Sequence, residues 1–208
     1  MKGARAASVL VLSLLAGSAR ARTSLLSGLH DWSIMVGGGL EGYTHVLAPQ
    51  VEPGVTYGVT VGVHPERLLG LDVGLEVGYS GAVNGLDTRV VGTEGVDLVR
   101  NGAYAAASVG LLSSRVRPYL LGGLGFSSYN VRGAVPGSGD DLVGNVPVGA
   151  GVRTSLGTLT ADARLSYTVL FDQRFAAGTP APDAGNVSHL NVSRGGRYSG
   201  TLNLGVTW

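Results

Sequence analysis

The chain has 208 residues, 35 of them glycine and none cysteine, with 44% hydrophobic and 14% charged side chains and a formal charge of +1. Glycine lies far above its usual share of about 7%, yet it shows no three-residue period, which excludes collagen, and the apolar content excludes disorder. Three of the 15 basic side chains (Lys2, Arg5 and Arg20) fall in the first 21 residues, leaving 12 against 14 acidic ones, a charge of −2, so nothing points to nucleic-acid binding.

Lys2 and Arg5 precede an apolar run from Val9 to Leu15, and Ala19-Arg20-Ala21 is a small-x-small site. That order is the signature of a secretory signal peptide over residues 1–21. The run is too short for a bilayer span, which takes about 20 apolar residues, and no later segment has 18 uninterrupted ones. If the chain crosses a membrane, strands must do it.

Eight alternating segments follow. The first, Trp32 to Thr44, sets Trp32, Ile34, Val36 and Leu40 on one face against Ser33, Gly37, Gly39, Glu41 and Tyr43. The second, Val55 to Val63, alternates Val and Tyr57 with Thr and Gly, and Pro65 to Gly70 makes a short turn. In the third, Leu71, Val73, Leu75, Val77 and Tyr79 oppose Asp72, Gly74, Glu76, Gly78 and Ser80, a strict period of two. The fourth, Asn101 to Leu112 with a start as early as Val96, is rich in alanine, and its facing stays open. The fifth, Pro118 to Val131, is blurred by paired leucines and paired glycines. The sixth, Val146 to Thr154, contains Pro147, which suits only a strand start. The seventh, Leu159 to Phe171, sets Leu159, Leu165 and Tyr167 against Asp162, Arg164 and Ser166. The eighth runs to the C-terminus, with Tyr198, Gly200, Leu202, Leu204, Val206 and Trp208 on one face and small or polar residues on the other.

Connections alternate in length. Three are turns of about four to six residues, and four are longer: roughly His45 to Gly54, Gly81 to Arg100, Asn130 to Asn145 and Asp172 to Arg197. Short periplasmic turns and longer outer loops are the rhythm of a transmembrane barrel.

The terminal alternation ending in an aromatic residue resembles the closing strand of bacterial outer-membrane β-barrels, although the family's commonest last residue is Phe. Arg117-Pro118-Tyr119-x-x-x-Gly123-x-Gly125 is similar to a segment of OmpA-type and related small barrels. The resemblance covers nearly the whole chain after residue 21. It implies an all-β fold, an eight-stranded antiparallel up-and-down transmembrane barrel over 32–208 after a periplasmic lead at 22–31, located in the outer membrane. It further implies that Tyr198, Leu202, Leu204, Val206 and Trp208 signal to the barrel-assembly machinery. The peptidoglycan-tethering role of longer OmpA-type proteins is not carried over.

Aromatic girdles are expected at Trp32, Tyr119 and Trp208 on the periplasmic side and at Tyr43, Tyr79, Tyr129 and Phe171 on the outer side. Glu41, Asp72, Glu76, Arg153, Asp162 and Arg164 are predicted to point into a lumen just wide enough to be filled by side chains, where buried charges must pair. Asp162, Arg164 and Arg153 should network with Glu76 and Asp72, as a structural plug or an ionic gate. His45 and His189, with Ser188 and Asp172 or Asp183, are the only candidates for lipid-modifying catalysis, and no local motif orders them. No catalytic residue, cofactor or metal is assigned. The expectation is a monomeric structural or surface-interaction barrel meeting outer-membrane lipids and lipopolysaccharide. The alternatives are a narrow porin-like channel, a lipid-modifying enzyme and, structurally, a soluble lipocalin-like barrel.

Overall fold

A computed structural model describes residues 31–64, 71–87, 95–112, 115–132, 141–171 and 192–208. The expected signal peptide (1–21) and almost all of the expected periplasmic lead (22–31) lie outside the described residues. So do the turn at 65–70, all of 172–191 within the expected loop from Asp172 to Arg197, and with it the candidate residues Asp172, Asp183, Ser188 and His189.

Eight antiparallel strands form a closed barrel in chain order: β1 (Trp32–Tyr43), β2 (Gly54–Val63), β3 (Asp72–Gly85), β4 (Asp97–Gly110), β5 (Val116–Arg132), β6 (Asp141–Leu156), β7 (Leu159–Phe171) and β8 (Val192–Thr207). Closure leaves no strand edge with unpaired amides, which a bilayer would not tolerate. β1 pairs with β8 from Ser33 opposite Thr207 to Tyr43 opposite Arg197. Trp32 and Trp208 extend the seam by exchanging backbone bonds of 2.9 Å each way. The cross-strand row that leaves β1 at Trp32 passes Val63, Leu75, Ala107, Gly122, Val148, Tyr167 and Tyr198 and returns to β1 at Gly42, ten residues further on. Such a stagger tilts the strands by about 35–45°.

The outer parts of the strands run further than the alternation predicts. β3 continues to Gly85, β6 starts at Asp141 and β8 at Val192, so that the long connections shrink and Arg100 and Arg197 move from predicted loop into strand. Ladder hydrogen bonds sustain pairing above the apolar band, where the side-chain pattern no longer demands it. Pro147 sits inside β6 rather than at its start, and the β5–β6 ladder skips there, from Gly122 opposite Val148 to Gly125 opposite Asn145. Proline has no amide hydrogen to donate, and this gap accommodates it. β6 and β7 meet at a two-residue turn in which Gly157 takes φ +63°, the conformation that glycine adopts freely.

Outward positions carry the apolar band that lipid requires: Val36, Leu40, Leu75, Val77, Leu124, Leu165, Leu202 and Leu204 are all exposed. The core lies inside. At the outer end, Tyr43, Leu98, Tyr129, Val143 and Leu170 pack with Leu47 and Val51 from the β1–β2 connection, and Leu86 and Val131 lean against them. That connection makes a 3-10 turn at His45–Leu47 and folds across the mouth. It is pinned by bonds from Thr44 N to Gly196 O (2.9 Å), Glu52 N to Gly85 O (2.8 Å) and Asp87 N to Gln50 O (3.0 Å).

Candidate functional site: the charged lumen

Two charged layers cross the lumen below that apolar cap. In the lower layer, Glu76 comes from β3, Arg153 from β6, and Asp162 and Arg164 from β7. The two β7 residues are two apart, so both point inward. Arg153 stands directly opposite Asp162 in the sheet. Arg164 grips Glu76 with two parallel hydrogen bonds, Nη1 to Oε1 at 2.6 Å and Nη2 to Oε2 at 2.9 Å. Arg153 bridges the two acids, at 3.3 Å from Asp162 and 3.8 Å from Glu76. The charges therefore balance two against two, the condition under which burial of ions is tolerated.

Two tyrosines complete this layer. Tyr119 donates to Asp162 Oδ2 at 2.7 Å and accepts from Arg164 Nε at 3.0 Å, while both guanidinium carbons lie over its ring, 5.1 Å (Arg153) and 5.7 Å (Arg164) from the centroid. Tyr104 donates to Glu76 Oε1 at 3.3 Å. Each ring lies across a glycine on the neighbouring strand, Gly151 beneath Tyr119 and Gly78 beneath Tyr104. A Cβ on Gly151 would sit 2.7 Å from Tyr119 Cε1. Glycine here makes room for the ring, as small inward residues do in a narrow barrel.

The upper layer joins Glu41 of β1 to Arg100 of β4 and Arg197 of β8. Arg100 reaches Glu41 bidentately, Nη2 to Oε2 at 2.7 Å and Nε to Oε1 at 3.1 Å, and donates to Ser80 Oγ at 3.0 Å. Arg197 Nε stands 3.8 Å from Glu41 Oε2, and its Nη1 donates to Tyr129 Oη at 3.0 Å. A chamber of about 90 Å³ separates the two layers.

Five of the six predicted lumenal charges are buried or nearly so, but they fall into two clusters. Glu41 belongs with Arg100 and Arg197, away from the others. Asp72 departs from the expected network: it lies at the periplasmic mouth and pairs loosely with the half-exposed Arg117 at 3.8 Å. Its place beside Arg153 is taken by His64, whose Nε2 is 2.7 Å from Arg153 Nη1. The guanidinium can only donate, so His64 Nε2 accepts and carries no proton. Burial first, and the Arg153 charge second, hold the His64 pKa below its ordinary value.

The girdle expectation fails at three tyrosines. Tyr43, Tyr119 and Tyr129 are inward and buried, because they share the parity of Glu41, Leu121 and Ser127 on their strands. Tyr79 is exposed on the outer surface, Trp208 half-exposed, and Trp32 and Phe171 partly covered on the outward face. Tyr57, Phe126, Tyr167 and Tyr198 are the further outward aromatics. Tyr198, Leu202, Leu204 and Trp208 all face outward along β8.

Arg100, Arg197 and Tyr104 escaped sequence reasoning. Extending the parity of Gly102 back two places would have turned Arg100 inward, and the same step from Ser199 would have found Arg197. His45 lies in the 3-10 turn at the outer end. Among the described residues no group of three or more metal-ligating side chains converges.

A closed barrel with an apolar exterior and a charged, internally paired interior defines a small integral outer-membrane protein, and this chain is an eight-stranded antiparallel up-and-down barrel of that kind. Solved structures agree on the fold. The N-terminal β-barrel domain of Pseudomonas aeruginosa OprF matches with a TM-score of 0.52 at 16% identity, covering 87% of this chain and 99% of that one. Neisserial surface protein A (NspA) matches at 0.56 and 13%, covering 84% and 96%. Ail, the attachment invasion locus protein of Yersinia pestis, matches at 0.55 and 14%, covering 86% and 98%. No protein-family model and no curated protein matches the sequence.

Proposed function

We propose that the protein is a structural and surface-presenting barrel of the outer membrane whose lumen does not conduct. The observation that carries this reading is the stack of three closures along one axis: the cap around Leu47, the Glu41–Arg100–Arg197 layer and the Glu76–Arg164–Asp162–Arg153 layer. Moving a hydrated solute through would require breaking buried bidentate ion pairs, each break costing about 3–5 kcal/mol. Contact with bilayer lipids through the apolar band and with lipopolysaccharide at the outer rim, insertion by the barrel-assembly machinery through the Tyr198–Trp208 face, and a monomeric state belong to the same reading. Function then resides in what the outer loops touch.

A liposome-swelling assay on reconstituted protein tests it. No swelling with small sugars, and planar-bilayer current at the baseline, are expected. Swelling that scales with solute size would overturn the structural reading in favour of a narrow channel.

A further inference from the structure

The two charged layers differ in their balance. The lower one holds Arg153 and Arg164 against Glu76 and Asp162 and is neutral. The upper one, among the described residues, holds Arg100 and Arg197 against Glu41 alone. Arg100 already matches that carboxylate with both of its oxygens engaged. Among the described residues Arg197 is therefore a second cation on one carboxylate, 8% exposed, and its Nη1 donates to Tyr129 Oη. Its Nε is 3.8 Å from Glu41 Oε2, an ion-pair distance beyond hydrogen-bond reach. Two buried guanidiniums sharing one carboxylate leave positive charge incompletely balanced, and incompletely compensated buried charge is costly.

Arg197 lines the chamber between the layers, and Arg164 closes the chamber from below. Its volume of about 90 Å³ holds roughly six waters at ~15 Å³ each. Hydroxyl and amide donors ring it, among them Thr60, Asn145, Ser199 and Asn203. A partly enclosed space whose charged lining, among the described residues, is Arg100, Arg164 and Arg197 against Glu41, and whose wall carries hydroxyl and amide groups, is complementary to a small anion rather than to a cation. We propose that the chamber binds one monovalent anion of the chloride class, held chiefly by the Arg197 guanidinium and solvated by the chamber hydroxyls. The anion makes the lumen electroneutral and is part of the folded structure.

Bromide is the probe, for it scatters anomalously and has the charge and nearly the size of chloride. The detergent-folded protein is melted at constant ionic strength while bromide replaces gluconate, which is too large for the chamber. Wild type should gain about 5 °C when bromide rises from its dissociation constant to a hundredfold excess. Arg197→Lys should retain the gain, and Arg197→Gln should lose it. Crystals of wild type in sodium bromide should show an anomalous peak in the chamber beside Arg197, a measurement that stands even where Arg197→Gln does not fold. No peak in the chamber, a bromide gain that persists in Arg197→Gln, or a tyrosinate absorbance at neutral pH showing that a phenol supplies the missing charge would each overturn the proposal.

Discussion

Glu76→Gln perturbs the lower layer at the acid that Arg164 grips with two hydrogen bonds. The wild-type carboxylate takes two hydrogen bonds from Arg164 at 2.6 and 2.9 Å, one from Tyr104 at 3.3 Å, and stands 3.8 Å from Arg153. Glutamine keeps one acceptor oxygen but turns an amide NH2 toward a guanidinium that can only donate, and the layer changes from two cations against two anions to two against one. Breaking a buried pair from one side costs about 3–5 kcal/mol. The retained oxygen places the expected loss near the lower end, about 3 kcal/mol, or roughly 6–12 °C in melting temperature for a chain of this size. Reversible urea unfolding in lipid vesicles, followed by the emission of Trp32 and Trp208, measures it. A companion variant, Glu76→Leu with Arg164→Met, leaves Arg153 against Asp162 and restores parity, and should recover more than half of the loss. A loss below about 1 kcal/mol for Glu76→Gln, or a double variant no better than the single, would refute the view that paired burial holds this layer.

Three further outcomes are expected. Leu165→Arg, on an outward side chain that is 72% exposed, should destabilise the membrane-inserted barrel by about 2–4 kcal/mol while leaving a detergent-solubilised form nearly unaffected, and equal losses in the two media would count against a lipid-facing wall. Gly151→Leu drives a side chain into the Tyr119 ring and should cost about 1–3 kcal/mol or more, with Tyr119→Ala added in the same chain relieving part of it; unfolding midpoints decide. His64 has a folded pKa below its ordinary value of 6.5, so the unfolded chain binds the extra proton first as the medium acidifies. Its contribution is fully present above about pH 6.5 and is lost as pH falls from there through the lowered folded value, a dependence that His64→Gln should abolish in unfolding titrations across pH 7 to 4.

How much of the lumen was legible depended on how cleanly each strand alternates. In β3 and β7 the period of two is unbroken, and Glu76, Asp162 and Arg164 point where their parity places them. In β5 the pairs Leu120-Leu121 and Gly122-Gly123 hide the parity, and Tyr119 and Tyr129 read as rim aromatics although they lie inside. Arg100 and Arg197 read as loop residues because the apolar signal fades above the membrane band while ladder hydrogen bonding continues. Tyr43 shares its parity with Glu41, and the alternation alone was sufficient to place it inside.

Local chemistry by itself determined the eight strands and, where the alternation is clean as in β3 and β7, their sidedness. One face must be apolar to meet lipid and the other small or polar to fill a narrow interior, and that demand is written residue by residue. Which inward charges meet was decided only by closure. The ten-residue stagger of the barrel sets β1 beside β8 and lifts Glu41 to the level of Arg100, 59 residues away, and of Arg197, while Glu76 meets Arg164 across 88 residues. Partner choice across a lumen depends on register and tilt summed over all eight strands, a property of the closed sheet that no single segment encodes.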